Sequence, residues 1–330
     1  APQRIMFQRL LSIARVTFIE TMRQPIYGAM LIATVMFLVL NVALSAFTLD
    51  DDDKLLLDLE LSTLLLSGLF LAAFSAAGVL TREIENKTVL TVISKPVGRP
   101  AFLIGKFVGL FGALAVAYYI CFLVFVLCIR HGVLQNSADP WDAPVLCFGG
   151  GAAALALVVA AFCNYFYHKE FPTLAIALVT GLLTIGVLLT AVLDEEFNAI
   201  PFASNFVGGQ VIIAAYLVLL ILMMMAAVAV AAATRFGQLM TLVICLAILG
   251  LGVIADNLWG HYEETSLLAA VAYRATPNVG PFWIIDGLIS DSPEAAVGVR
   301  YLLYTTSYAI LITVGVLSLG IAAFQTREVG

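Results

Sequence analysis

Eight long apolar runs separated by short polar segments constrain this chain more than any other feature of its sequence. A helix needs about 20 apolar residues to cross the roughly 30 Å hydrocarbon layer of a bilayer, whereas a β-barrel shows short segments of alternating hydrophobicity. The runs therefore predict an all-α, polytopic membrane protein with about eight transmembrane helices. The predicted spans are Tyr27–Phe47, Leu61–Leu80, Phe107–Leu127, Val145–Phe166, Thr173–Leu193, Phe206–Ala233, Leu239–Ile254 and Tyr301–Phe324. Only 12% of the 330 residues are charged, about half the share in soluble domains, which agrees with burial in lipid.

Residues 3–23, which precede the first span, predict an amphipathic helix. Apolar residues recur at spacings of three and four on one face, and they are Phe7, Leu10, Leu11, Ala14 and Phe18. A basic amphipathic helix before a span is expected to lie in the membrane interface, with its cations towards anionic headgroups. Those cations are Arg4, Arg9 and Arg15. The alternative is a plain extension of the first span, which the polar face disfavours. The long region before the apolar run also disfavours a signal peptide.

The charges indicate how the spans cross the membrane. If the N-terminus is cytoplasmic, twelve of the 16 basic residues fall on the inside and 17 of the 22 acidic residues on the outside. Basic residues are enriched in cytoplasmic loops, and one span more or fewer would reverse every later loop. An even number of spans with both termini in the cytoplasm, in the inner membrane of the cell, is the predicted topology. Almost no charge remains within the predicted spans, which argues against a proton- or sodium-coupled carrier.

Two polar intervals stand out within one predicted permease domain, residues 1–330. The first, residues 81–106, holds five of the basic residues and is predicted to be a cytoplasmic loop with a short amphipathic helix. The second, residues 256–300, is predicted to be a folded cap on the outer side of the membrane. The sequence leaves open whether part of this cap re-enters the membrane. Trp259 and Trp283 suit the membrane–water interface, and three prolines interrupt the segment.

The first interval resembles a known loop. Glu83 and Glu85 begin it, Lys87-Thr88-Val89 follows, and then come Ser94-Lys95-Pro96-Val97-Gly98-Arg99 and Gly105-Lys106. This pattern resembles the loop between the second and third spans of ABC-2 type transporter permeases, and it is most similar to the copper-enzyme-maturation and multidrug export permeases. The resemblance is specific over about 26 residues. It implies an exporter-like core of six spans, so the eight predicted here include an extra pair. That pair is centred on either Phe162–Thr173 or Ala232–Met240.

The resemblance implies the transmembrane subunit of an exporter, driven by a separate ATPase that docks on the 81–106 loop. Glu83, Glu85, Lys87 and Thr88 would contact the ATPase, Pro96 and Arg99 would shape the loop, and Lys95 completes the predicted contact set. The expected partners are that ATPase, which would bind ATP and magnesium, a second permease copy in a homo- or heterodimer, and the lipid bilayer. Neither a nucleic acid partner nor a cofactor or metal bound by this chain is expected.

The chain is not predicted to be an enzyme. It lacks the G-x-x-x-x-G-K-[ST] phosphate loop, because Gly105-Lys106 has neither the upstream glycine nor the following Ser or Thr. Its three histidines are far apart and none lies in an H-E-x-x-H motif. A different interpretation remains open, namely an ATP-independent membrane channel or a membrane scaffold. The presence or absence of a partner with a phosphate loop would separate the two.

Overall fold

The computed structural model describes residues 2–46, 52–85, 98–133, 141–202, 207–260, 266–267, 270–271, 273, 276–284 and 297–325. Nine α-helices lie in these ranges. They are α1 Pro2–Met22, α2 Pro25–Ser45, α3 Asp52–Glu85, α4 Arg99–His131, α5 Gly151–Tyr167, α6 Phe171–Thr190, α7 Gly209–Ala233, α8 Gln238–Leu258 and α9 Val299–Gln325. A π-helical turn, Val145–Gly150, leads directly into α5, and a short 3-10 helix covers Gly280–Phe282.

The eight predicted spans are confirmed as helices. Eight helices in the described ranges, α2 to α9 with the π turn as part of α5, are long and apolar enough to cross a membrane. Several start where the sequence places a helix-initiating proline, including Pro25 and Pro172, because proline fits the first turn of a helix and is poorly tolerated later. The all-α polytopic fold predicted from the apolar runs is therefore the fold observed.

Three helices form the centre of the bundle. About two thirds of the apolar stretch is buried in α3, α4 and α7, against a third or less in the other spans. Tyr118 of α4 fixes this centre by donating a hydrogen bond to the Ala215 carbonyl of α7, at 2.6 Å. Around it, α2 packs on α3 and α4, α8 on α3 and α7, and α9 on α7. The hairpin of α5 and α6 lies at the periphery against α4.

The N-terminal helix α1 packs along α4. Glycines allow this contact: a Cβ on Gly105 would lie 2.9 Å from a methyl carbon of Ile13, and one on Gly109 would overlap the backbone carbonyl of Ala14. Small residues let helix backbones approach closely. The face of α1 against α4 includes buried Ala14 and Thr17, whereas Phe7, predicted to be on the apolar face, is 61% exposed. The interfacial position of α1 stays a prediction.

The second span is longer than predicted. The sequence predicts Leu61–Leu80, but α3 begins at Asp52 and continues to Glu85. Its first turn carries Asp52 and Asp53, which suit the positive end of the helix dipole, and interspersed leucines continue the apolar surface. At 1.5 Å per residue, α3 and α4 are each about 50 Å long, so both exceed the hydrocarbon layer.

The predicted spans themselves hold no charged residue, but the observed helices extend beyond them, and charged residues next to the predicted spans are buried. Glu60 of α3 is fully buried, although its acidic neighbours made it part of a predicted outer loop. Lys106 and Asp142 are also buried, and the Arg130 side chain is only 7% exposed. Burial of a charged residue depends on tertiary contacts, which the local apolar pattern does not encode.

Candidate coupling face

One end of the bundle collects the segments predicted to be cytoplasmic. We call this end the coupling face, and we define it by the end of α3 at Glu85, the start of α4 at Arg99, the α5–α6 turn at Glu170, the α7–α8 turn at Arg235 and the end of α9 at Gln325. Contacts join the start of α4 and the α7–α8 turn to the end of α9, and the α5–α6 turn to the end of α1, as the predicted alternation of spans requires.

Arg99 joins the predicted loop to the last helix. Its guanidinium donates hydrogen bonds to the carbonyls of Phe324, at 3.2 Å, and Gln325, at 2.5 Å. It also lies over the Phe324 ring, 5.7 Å from the ring centroid, and Phe102 stacks on the same ring. The last carbonyls of a helix have no partners within the helix and carry its negative dipole, so an arginine is a favourable ligand for them.

A second arginine holds the same helix end. Arg235, in the turn between α7 and α8, donates a hydrogen bond of 2.6 Å to the Ala323 carbonyl. The end of α9 is also close to its neighbours, because a Cβ on Gly320 would lie 2.9 Å from Ala231 of α7. Two loops that are far apart in the sequence therefore converge on the C-terminal turn of α9.

Ion pairs connect the remaining parts of the coupling face. Lys106, in the second turn of α4, lies 3.9 Å from the Glu20 carboxylate of α1, and its ammonium is also 5.7 Å from the centre of the Phe102 ring. Arg23, at the end of α1, pairs with Glu170 of the α5–α6 turn. Because Lys106 is almost completely buried, the pair with Glu20 fixes α1 against α4 more firmly than an exposed pair would.

The structure places only part of the predicted contact set. Glu83 and Glu85 lie in the last turns of α3, and Arg99 starts α4. Lys87, Thr88, Lys95 and Pro96 lie outside the described residues. ATPase contact by this set therefore stays a prediction.

Among the residues of the predicted interfacial helix, Arg9, Arg15 and Phe18 lie on α1 with Arg15 exposed, and Arg4 lies in its first turns. The residues that sequence reasoning missed on this face are Glu20, Glu170 and Arg235. In the sequence, only their charge marked these residues as candidates. Their contacts were not predictable because each contact joins segments far apart in the sequence.

The opposite end of the bundle has its own polar cluster. Arg130 of α4 donates hydrogen bonds to the Asp142 carboxylate, at 3.0 Å, and to the Leu193 carbonyl, at 2.8 Å. The other Asp142 oxygen accepts from the Val145 amide at 3.0 Å and so caps the π turn. These bonds connect α4 to both ends of the α5–α6 hairpin.

Part of the predicted outer cap is also fixed to the spans. The side-chain amide of Asn278 donates a hydrogen bond to the Asp256 carboxylate of α8, at 2.7 Å. The backbone N–H of Asn278 donates to the Tyr308 hydroxyl of α9, at 2.9 Å. A Cβ on Gly252 would overlap the Pro277 carbonyl, so this segment contacts α8 directly. Residues 276–284 thus contact the spans directly, whereas residues 261–265 and 285–296 of the predicted cap lie outside the described residues.

The bundle of long apolar helices defines a polytopic membrane protein, and its coupling face ties α1, α4 and α9 together. A family model described as "ABC-2 family transporter protein" matches residues 21–186, just over half of the chain. The chain therefore belongs to the ABC-2 transporter family, and it is a transmembrane subunit of a transporter. The match covers α2 to α5 and most of α6, including the resembled loop. No curated protein sequence matches the chain.

Proposed function

We propose that this chain is the membrane subunit of an exporter driven by ATP hydrolysis in a separate ATPase subunit, which docks on the 81–106 loop. Members of the ABC-2 family usually work with such an ATPase, and this supports the proposal. The chain would span the inner membrane with both termini in the cytoplasm, and it would pair with a second permease copy. The ATPase would bind the nucleotide and magnesium.

The observation that carries the proposal is the coupling of this loop to several helices at once. A displacement of the loop acts directly on α3 and α4, which continue into it as helices up to Glu85 and from Arg99. Arg99 passes the displacement to α9 through two carbonyls, and Lys106 and the glycines of α4 pass it to α1. A force applied at one small site would therefore move two helices outside the loop's own pair, α1 and α9, as a transporter driven from one side requires.

Co-purification tests the proposal. The tagged chain, extracted in mild detergent from its native membrane, should retain a stoichiometric subunit that carries a phosphate loop. The double reversal Glu83→Lys and Glu85→Lys should remove that subunit, because both glutamates lie at the end of α3 beside the proposed docking loop.

The matched control reverses two glutamates at the other end of the molecule, Glu195→Lys and Glu196→Lys. Both side chains are exposed in the turn after α6, and the ATPase should remain bound. A chain that purifies without any ATPase, under conditions that preserve other membrane complexes, would contradict the proposal and favour the ATP-independent channel or scaffold.

A further inference from the structure

Glu60 of α3 is an ionisable group buried inside the transmembrane bundle. Its side chain has no solvent-exposed area, and neither carboxyl oxygen has a hydrogen-bond partner among the residues that the structure describes. Buried polar groups nearly always have partners, so a carboxyl group without one needs a physical explanation. Ionisable residues inside membrane spans are rare and commonly functional.

The neighbours of Glu60 do not neutralise it. Cys128 of α4 lies close enough to interact electrostatically with Glu60, but a thiol cannot supply the positive charge that would stabilise a carboxylate. The nearest cation along α4, Arg130, is paired with Asp142 through its Nε, and its buried Nη1 bonds to no described residue, Glu60 included. The titratable side chains towards the outer end of the helices packed on α3 are Cys128, Arg130, His131, Tyr216 and Asp256. Tyr216 bonds to Thr306, and Asp256 bonds to Tyr273 and Asn278.

An ionised carboxylate in this position would have neither a counter-charge nor a hydrogen-bond donor among the described residues. Its transfer from water would be very unfavourable, and such a group takes up a proton instead. A protonated glutamic acid is neutral and similar in shape to glutamine, so it is compatible with the packed surroundings. Leu64, one helical turn further along α3, lines a cavity of about 20 Å³ between α2, α3 and α4, which is enough space for one water molecule.

We propose that Glu60 is a proton-binding site of this permease, and that the bound proton stabilises the packing of the outer half of α3 against α4. Opening of the outer half of the bundle would expose the carboxyl group to water and release the proton. External alkalinity would then favour the open arrangement. This inference does not depend on the ATPase or on the loop.

Stability measured against pH tests the proposal. The purified full-length chain in lipid nanodiscs should lose melting temperature as the pH rises from 5.5 to 8.5, because the folded state holds a proton that the unfolded glutamate, with an ordinary pKa of about 4.3, has released. Glu60→Gln removes this proton linkage. The melting temperature of the wild type relative to Glu60→Gln should therefore fall by about 5 to 10 degrees across this range.

Asp58→Asn is the matched control, because Asp58 is only partly buried two residues earlier on the same helix. Its pH profile should run parallel to that of the wild type. A constant difference between wild type and Glu60→Gln at all pH values would overturn the proposal. Failure of Glu60→Gln to fold would overturn it too, since the neutral side chain must fit the site.

Carbodiimide labelling gives an independent readout. Dicyclohexylcarbodiimide is hydrophobic and adds the O–H of a protonated carboxyl group across one of its N=C bonds, after which the acyl group migrates to nitrogen and no atom leaves. Mass spectrometry should find this adduct on Glu60 at pH 7, with less at higher pH. A water-soluble carbodiimide with glycine ethyl ester should label Asp58 and spare Glu60. Equal labelling of both residues by the water-soluble reagent would show an exposed carboxylate and overturn the proposal.

Discussion

At the scale of single residues, the charges buried in this bundle differ in how they are compensated. Arg130 and Asp142 face each other directly, and Lys106 has both Glu20 and an aromatic ring nearby. Removing one member of a buried pair is costly because the other is left uncompensated. These pairs therefore hold α1 and the α5–α6 hairpin at fixed positions along α4. This effect is separate from any net stability that the pairs provide.

Arg99→Ala should destabilise the folded chain by about 1–2 kcal/mol, because it removes two charge-assisted hydrogen bonds from the end of α9. Arg99→Lys should recover only part of this loss, since an ammonium cannot stack its plane over the Phe324 ring as the guanidinium does. The measurement is equilibrium unfolding in mixed micelles. Arg300→Ala, at the opposite end of α9 and exposed, is the control and should change stability by less than about 0.5 kcal/mol. Equal effects of the two alanine variants would contradict the proposed role of Arg99.

At this scale the sequence predicted little of the site. It identified Arg99 through its place in a motif, but it assigned Arg99 to an external contact and gave no indication of its bonds to Phe324 and Gln325, 225 and 226 residues away. Likewise, Glu60 was counted as an outer-loop residue because its neighbours are acidic. Both outcomes depend on which helices meet in the folded bundle.

At the scale of the helices, prediction from the sequence succeeded because a span is a local property. The predicted span Phe206–Ala233 and the observed α7, Gly209–Ala233, differ by three residues at one end only. The largest error was in α3, where charged residues on an otherwise leucine-rich segment were taken for a loop. The spacing of Gly105 and Gly109 suggested a close helix contact, but only the folded chain identifies α1 as the partner.

Gly109→Leu should separate α1 from α4, because the new side chain would overlap the Ala14 backbone, which cannot rotate away. Overpacking of this kind costs about 1–3 kcal/mol. Trypsin cleavage after Arg9 and Arg15 in nanodiscs should become faster as α1 detaches. Gly181→Leu, in α6 where a new Cβ meets nothing within 4 Å, is the control and should leave the cleavage rate unchanged. Unchanged cleavage in Gly109→Leu would show that α1 is held by other contacts.

At the scale of the whole molecule, basic residues lie at one end of the bundle and an acidic turn lies at the other. The coupling face carries Arg23, Arg99 and Arg235, whereas the other end carries the acidic turn Asp194-Glu195-Glu196. Asn198 at this turn donates hydrogen bonds to Asp194 and lowers the pKa of that carboxyl group. These hydrogen bonds favour the ionised form of Asp194, and the predicted orientation places this end of the bundle outside the cytoplasm.

Cysteine labelling in intact cells tests this orientation. In a chain freed of its five native cysteines, Glu195→Cys should react with a membrane-impermeant maleimide, because its turn is predicted to be outside. Lys169→Cys, in the opposite α5–α6 turn, should react only after the cells are permeabilised. Both positions are exposed in the structure, so a difference between them reports the side of the membrane. The reverse pattern would place the termini outside.

Arg99 and Arg235, which both bind the last turn of α9, affect how the molecule can deform. Residues 99 and 235, from two different loops, are both bonded to the same helix end, at residues 323–325. Because both loops hold one helix end, neither loop can shift far from the other without breaking a hydrogen bond to that end. A push on either loop is therefore expected to move the two loops and the end of α9 together as one unit.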